Sequence, residues 1–315
     1  MNFIVIMCMG LTTHAQNFLE NVISQTVVQP IIEQPKEFII TPALGLGGYT
    51  NSLSIQDADT LQHANSSFYV LGLDINGYST HIFLPYRDKS DRIAKSIDSD
   101  VFRFQTSFKI SPEVTIDANY SKVIGFYQGN VDDPSSRLVR FPNLGLKKYS
   151  LIATYMIDGT HRSSLFSPIS YAPVLTGRSV FFSWDTSLHE LLGLEELNSS
   201  LVVADRKDNS IRSAKALSML GSMGWSQSKM YKNFFWSYAI GVGFGGTYFE
   251  KFYVDKKSAD TTISTTVPFS GLFGWNSGYF TTGLFAMVRS WAVTLDQFRL
   301  SNSNGSSGLY LAYQF

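Results

Sequence analysis

The chain ends with Gly308-Leu309-Tyr310-Leu311-Ala312-Tyr313-Gln314-Phe315, in which large apolar side chains recur at every second position. Successive side chains of a β-strand point to opposite faces, so this segment presents two different surfaces. One surface carries Leu309, Leu311, Tyr313 and Phe315, and the other carries Tyr310, Ala312 and Gln314. A strand needs two such surfaces when one meets lipid and the other meets a lumen. The segment therefore predicts the closing strand of an outer-membrane β-barrel.

The opposite end of the chain predicts export. Residues 1–15 combine a short apolar stretch with small residues before Ala15, which is typical of a secretory signal peptide. Because no Lys or Arg precedes the apolar stretch, a buried N-terminal segment and a misassigned start stay open as alternatives. We interpret residues 1–15 as a signal peptide, residues 16–36 as a periplasmic lead-in and residues 37–315 as the outer-membrane barrel.

The composition excludes several classes of protein. Cys8 is the only cysteine and lies in the predicted signal peptide, so the mature chain has no disulfide scaffold and no thiolate metal site. Lys and Arg together number 25, as do Asp and Glu, and no basic stripe with interleaved aromatic residues occurs. Nucleic acid is therefore not expected as a partner.

The same composition favours a membrane barrel. Only 16% of the residues are charged, against about 25% in soluble proteins, and the chain holds 24 Phe, 16 Tyr and 5 Trp. A barrel hides its outer surface in lipid and places aromatic residues at both rims. The sequence contains no run of 18 apolar residues that would predict a transmembrane helix. A chain of this kind can span a membrane only as a closed barrel, because only then are all backbone polar groups paired.

Thirteen segments have the character of strands. They are 38–49, 68–75, 78–84, 101–110, 114–127, 144–157, 160–170, 178–190, 212–225, 234–249, 262–275, 279–291 and 307–315. Single-chain bacterial barrels have even numbers of strands, so one of these segments must be wrong. We predict an all-β, antiparallel up-and-down transmembrane barrel of twelve strands, with fourteen as the next choice.

The clearest alternation lies in segment 234–249. Its large residues are Trp236, Tyr238, Ile240, Val242 and Phe244, and they alternate with Ser237, Ala239, Gly241, Gly243 and Gly245. Glycine is rare inside a strand unless another group lies close by. We therefore predict that the large residues face lipid and that the glycines face a crowded lumen.

The connections predict which end of the barrel lies on which side of the membrane. Short turns are predicted at Asn76-Gly77, Ser111-Pro112, Asp158-Gly159 and Asn276-Ser277-Gly278. Long polar connections are predicted at 87–100, 129–142, 191–212, 250–261 and 294–306. Short periplasmic turns that alternate with long extracellular loops are the habit of outer-membrane barrels. Trp225, Trp236, Trp275 and Trp291 fall near segment ends, where an interfacial girdle would place them.

Three stretches carry a resemblance to a known family. They are residues 72–85, residues 119–127, and residues 221–225 together with 232–235. In these stretches the chain resembles an outer-membrane β-barrel family of unknown function from Bacteroidota. The resemblance implies the location and the architecture, and it brings no catalytic residues. The last strand departs from the usual barrel-assembly pattern, since Tyr310 stands where glycine is usual.

No catalytic, cofactor-binding or metal-binding residue is predicted. The mature histidines His63, His81, His161 and His189 have no metal-ligand spacing. The pair His161 and Ser163 could belong to a lipid-modifying enzyme, but we interpret it as an interfacial turn. The acidic pairs Asp132-Asp133 and Glu195-Glu196 are interpreted as solvated loop residues, and no helix follows the glycines of 241–246 to form a phosphate site.

We therefore expect a non-enzymatic protein of the cell outer membrane, either a narrow pore or transporter or a structural component. Its expected partners are the outer-membrane lipid and the barrel-assembly machinery, which would recognise the strand that ends at Phe315. Two alternatives stay open: a lipid-modifying enzyme of the outer membrane (a lipase or an acyltransferase), and a soluble secreted β-protein that binds lipid.

Overall fold

A computed structural model describes residues 40–55, 61–63, 66–75, 78–86, 100–111, 113–128, 139–157, 176–195, 211–253, 257–277, 279–295 and 298–313. These residues form one sheet of 13 strands. The strands are β1 Ile40–Ile55, β2 Leu61–His63, β3 Ser66–Ile75, β4 Tyr78–Tyr86, β5 Asp100–Lys109, β6 Val114–Gln128, β7 Val139–Met156, β8 Gly177–Leu192, β9 Ile211–Tyr231, β10 Phe234–Tyr253, β11 Lys257–Asn276, β12 Phe280–Leu295 and β13 Phe298–Tyr313. Among the residues described, no helix is long and apolar enough to cross a membrane.

All strands except β2 close into an antiparallel ring. Each long strand pairs with its neighbours in the chain, and β13 pairs with β1 from Ala43 opposite Ala312 to Ile55 opposite Leu300. The short β2 bridges β1 and β6 above β3, β4 and β5, which are only 10, 9 and 10 residues long. The predicted ring of twelve strands is therefore confirmed, and closure leaves no unpaired sheet edge in the lipid.

The predicted alternation between lipid and lumen is confirmed in β10 and β13. In β10, Ile240, Val242 and Phe244 are exposed on the outer face, whereas Gly241 and Gly243 are buried inside. In β13, the outer face carries Leu309 and Leu311 and the inner face carries Tyr310 and Ala312. Gln314 and Phe315 lie outside the described residues.

At two glycines the crowding predicted for the lumen involves the ring of Phe181 on β8. A Cβ atom added to Gly224 would lie 2.4 Å from Cζ of Phe181, and one added to Gly241 would lie 3.0 Å from the same atom. The two glycines therefore form a slot, on the adjacent strands β9 and β10, that receives this ring. An aromatic ring laid over strand glycines restores the packing that a missing side chain would lose.

One glycine is required by the backbone conformation and not by side-chain packing. Gly125 has a φ of 88°, and the register between β6 and β7 shifts between Ile124 and Phe126. This is a β-bulge, in which an extra residue bends the strand and a positive φ favours glycine. Beyond the bulge, the side chain of Phe126 is fully buried.

The connections predicted to be short at 76–77, 111–112 and 276–278 are short, since adjacent strands end and begin there; residues 76, 77, 112 and 278 themselves lie outside the described residues. The predicted long connections at 250–261 and 294–306 are wrong. Strand β10 continues to Tyr253 and β11 begins at Lys257, and only residues 296–297 separate β12 from β13. These segments are polar because their strands rise beyond the lipid. The outer face carries an ion pair from Lys257 to Glu250 at 2.7 Å, and on the opposite face Lys251 pairs with Asp260 at 3.3 Å.

The extra predicted segment and its turn fall between β7 and β8. Residues 160–170 and Asp158-Gly159 lie outside the described residues. Strand β7 pairs directly with β8, from Gly145 opposite Leu192 to Met156 opposite Phe181. The ring is therefore complete without this segment.

Aromatic side chains mark two levels on the outer face. At the level of the chain ends, Tyr78 contacts Phe108 with ring centroids 5.9 Å apart, and Trp236 stacks on Tyr238 at 5.7 Å. At the other level, Tyr120 contacts Phe102 at 5.9 Å and Tyr149 at 4.9 Å. We call these levels the lower and the upper aromatic rim. Aromatic girdles at both interfaces are a property of transmembrane barrels.

One predicted girdle residue lies elsewhere. Trp291 is only 3% exposed and stacks on His189 inside the barrel, with ring centroids 4.2 Å apart. Its position near a segment end did not determine its face, because the strand period places residues 285, 287, 289 and 291 of β12 on the lumen side.

Candidate functional site

Short hydroxyl side chains line much of the lumen. The buried ones in the described chain are Thr41, Ser79, Ser107, Thr115, Ser150, Thr154, Ser179, Ser183, Ser187, Ser218, Ser222, Ser226, Ser228, Ser237, Thr247, Ser264, Thr266, Ser270 and Ser306. Several bond across strands: Thr247 Oγ1 lies 2.8 Å from Ser218 Oγ and 2.6 Å from Ser264 Oγ. A soluble core is filled mainly with apolar side chains. This lumen is instead polar through much of its height.

Two apolar layers narrow the lumen. One cluster consists of Met156, Phe181 and Ala239, with Met287 packed against it. At the end of the barrel away from the start of β1 and the end of β13, the interior holds Phe126, Phe141, Leu144, Leu191 and Phe249, all fully buried. The barrel interior is therefore narrow at these two layers.

Charged side chains from four strands converge inside this polar region. We call Arg103 of β5, Lys148 of β7, Asp185 of β8 and Arg289 of β12 the lumen cluster. Arg289 Nη2 lies 3.3 Å from Asp185 Oδ2, and Arg103 Nη1 donates to Ser306 Oγ of β13 at 3.2 Å. Asp185 also accepts a hydrogen bond from Ser187. Ionisable residues within transmembrane segments are costly, and they mark functional sites by default.

The lumen cluster lies at the level of the upper aromatic rim. Arg103 follows the rim residue Phe102 in the chain, and Lys148 precedes the rim residue Tyr149. Because successive residues of a strand point to opposite faces, each rim aromatic is backed by a lumen cation at the same height. The cluster thus occupies a defined layer of the lumen.

A cavity of about 50 Å³ lies against this cluster. Its charged lining residues are Arg103, Lys148 and Arg289, and its polar lining residues include Asn119, Ser121, Ser150 and Ser306. A volume of roughly 10–15 Å³ holds one water molecule by this measure, so the cavity admits a small solute and excludes a large one. No carboxylate is among its lining residues in the described chain.

Strand β8 also carries an acid, a serine and a histidine on its inner face. Asp185, Ser187 and His189 are all buried. A nucleophilic triad needs a hydrogen bond between serine and histidine. Here Ser187 donates to Asp185 instead, and neither ring nitrogen of His189 has a hydrogen-bond partner among the described residues. The three residues therefore do not form a triad in this arrangement.

The predicted absence of a metal site stays a prediction. Within the described ranges, no three His, Cys, Asp or Glu side chains come together as metal ligands. His81 and His189 face the lumen. His161, Ser163, Asp132, Asp133 and Glu196 lie outside the described residues, and Glu195 is exposed.

Sequence reasoning missed the lumen cluster. Its members come from segments correctly predicted as strands, namely 101–110, 144–157, 178–190 and 279–291. The available indication was that charged residues occur among the alternate positions of these segments that carry polar side chains. Their convergence could not be read from the sequence, because it depends on how the ring closes.

The closed ring, its apolar outer face and its polar lumen define the class of protein: the chain is an integral β-barrel of the outer membrane, as predicted.

Its sequence matches no protein-family model and no curated protein sequence. Its fold is similar to that of the outer membrane protease OmpT from Escherichia coli, with a TM-score of 0.38, 9% identity, and coverage of 90% of this chain and 99% of that chain. It is also similar to the toluene transporter TbuX from Ralstonia pickettii, with a TM-score of 0.30, 8% identity, and coverage of 89% and 90%. A third similar structure is the attachment invasion locus protein Ail of Yersinia pestis, with a TM-score of 0.20, 8% identity, and coverage of 87% and 98%.

Proposed function

We propose that this protein is a non-enzymatic outer-membrane barrel that acts as a narrow pore for small polar solutes. The observation that carries the proposal is the polar layer inside a closed ring, with its charged cluster and cavity. A barrel that served only as a scaffold would gain more from an apolar interior, because burying charges costs free energy unless each is compensated. A polar lumen is what porins use to conduct.

The lumen hydroxyls support hydration of this pathway. Thr154, Ser183, Ser222 and Ser270 have buried hydroxyl oxygens without a hydrogen-bond partner among the described residues. A buried hydroxyl without any partner costs about 1–3 kcal/mol. Ordered water satisfies such groups, and the lumen side of the strands is where water enters. The proposed pathway therefore follows the inner faces of β7, β8, β9 and β11, which carry these hydroxyls.

The enzyme alternative has less support. A lipid-modifying enzyme needs a histidine, a nucleophile and an orienting group that reach the lipid. The described histidine side chains, His81 and His189, are fully buried in the lumen. The composition of the β8 trio resembles a triad, but its hydrogen bonds do not connect serine to histidine.

Single-channel recording in planar bilayers tests the proposed pore. The mature protein is purified in detergent, and heat-modifiability on a gel confirms that the barrel is folded. We expect discrete, small conductance steps. Folded barrel that inserts without any conductance would overturn the proposal and favour a structural role.

A matched pair of variants connects conductance to the lumen. Phe181 is fully buried in the lumen, whereas the adjacent Phe182 is 37% exposed on the outer face. Phe181→Val shortens the side chain that lies over the inner face of β9 and β10 and should raise the conductance, whereas Phe182→Val should leave it unchanged. Equal conductance in both variants would show that current does not pass the Phe181 layer.

A further inference from the structure

The cavity in the lumen has an unbalanced electrostatic lining. Three of its lining residues are cationic, Arg103, Lys148 and Arg289, and none is acidic in the described chain. Arg side chains stay charged at all physiological pH values. The chain as a whole has no net charge, so the concentration of positive charge at this layer is local.

The two arginines are held in place by neighbours. Arg289 is fixed by Asp185, with 3.3 Å between Nη2 and Oδ2. Arg103 donates to Ser306 Oγ at 3.2 Å, and its guanidinium carbon lies 4.6 Å above the ring of Phe83. Preorganised donors bind an anion at little cost in side-chain entropy.

Lys148 is the member of the cluster that these contacts do not satisfy. It is buried, with 9% of its surface exposed, and it lines the cavity. Within the described part of the chain, its ammonium group makes no hydrogen bond and no salt bridge. Asp185 attracts this ammonium group from beyond ion-pair distance, but that carboxylate already pairs with Arg289 and accepts a hydrogen bond from Ser187. A buried ammonium group without a direct partner is costly. An anion in the cavity would supply that partner.

We propose that this cavity is a binding site for a small inorganic anion, held by Lys148, Arg103 and Arg289. Hydroxyl and amide donors of Ser121, Ser150 and Asn119 complete the lining. Rings of Arg and Lys are what anion-selective and phosphate-selective pores place at their constrictions. The site therefore makes the pore select anions over cations, a consequence that rests on the proposed pore function.

Binding is tested separately from conduction. Isothermal titration of the folded protein in detergent with phosphate, and in a second series with chloride, measures the site without any pore activity. Lys148→Met should weaken binding at least tenfold. Its neighbour Lys147 points to the opposite face of the same strand, so Lys147→Met is the matched control and should bind as the parent does. Absence of binding in the parent, or equal binding by both variants, would overturn the site.

Arg103→Gln gives an independent variant in case Lys148→Met does not fold. Its loss of charge should also weaken binding severalfold, while the folded barrel stays heat-modifiable. Binding unchanged in folded Arg103→Gln would contradict the assignment of Arg103 to the site.

Selectivity is measured from the reversal potential in a tenfold gradient of KCl. For the parent we expect a reversal potential with the sign of the chloride equilibrium potential. Lys148→Met should move this reversal potential toward zero, whereas Lys147→Met should not. A conducting protein that prefers potassium would overturn the selectivity while leaving the pore established. A folded protein that binds phosphate but does not conduct would instead refute the pore and keep the site.

Discussion

Replacement of Val242 by arginine tests the lipid-facing assignment of β10. Val242 is 66% exposed and lies between Tyr238, beside the lower aromatic rim, and Tyr248. At about 3.3 Å per residue, these two tyrosines are about 33 Å apart along the strand. A tilt of about 40° reduces that span to a height of about 25 Å, which equals the apolar band of a transmembrane barrel. Val242 therefore lies near the midplane.

Arginine on the lipid face costs about 2–4 kcal/mol at the midplane and about 0–1 kcal/mol near an interface. We therefore expect Val242→Arg to lower the free energy of unfolding by about 2–4 kcal/mol. The control is Tyr248→Arg on the same face of the same strand, for which we expect about 0–1 kcal/mol. Tyr248 is a suitable reference because its hydroxyl donates to Glu250 at 3.0 Å, so a polar neighbour is already present there.

The assay is denaturant unfolding of the protein in phospholipid vesicles, followed by tryptophan fluorescence and by heat-modifiability. Reversible folding of both variants is required, and the difference between their unfolding free energies is the decisive quantity. Equal losses at Val242 and Tyr248 would show that the outer face of β10 is not inserted in lipid, and would refute the depth argument.

Three further predictions follow from packing, topology and the end of the chain. Gly224→Ala should destabilise the barrel by about 1–3 kcal/mol through overpacking against Phe181, whereas Gly221→Ala, whose added Cβ meets nothing within 4 Å, should be nearly neutral in the same unfolding assay. An epitope inserted at Asn209 should bind antibody on intact cells, because β8 and β9 lead into that connection at the end of the barrel opposite the chain termini; labelling only in permeabilised cells would reverse the orientation. Deletion of Phe315 should lower the amount of folded protein in the outer membrane without altering molecules that do insert, and normal levels on quantitative blots would refute its role in assembly.

Much of the fold was predictable because strand period and lipid exposure act locally. Leu309 and Leu311 face lipid and Tyr310 faces the lumen, as alternation alone requires. The same local rule fixed the faces of Val242 and Gly243. Closure also followed from the sequence, because a sheet in lipid must pair its edges.

The ends of the strands were less predictable. The stretch 250–261 has the polar composition of a loop. It nevertheless belongs to β10 and β11, which a short connection joins. Amino-acid composition distinguishes segments in lipid from segments in water. It does not distinguish a loop from a strand that continues into water. Lys257 and Glu250 form an ion pair there, and the hydrogen bond from Lys257 holds the pKa of Glu250 below its usual range.

What the sequence determined by itself is the class of the protein, since the alternation of side chains and the need to satisfy the backbone in lipid are properties of each segment. What only the tertiary structure decided is the content of the lumen. Lys148 and Arg289 are far apart in the chain, and the register of the intervening strands sets which lumen residues share a level. A shift of one residue in any pair would turn these side chains toward lipid. The cation-lined cavity therefore exists only because the ring closes in this register.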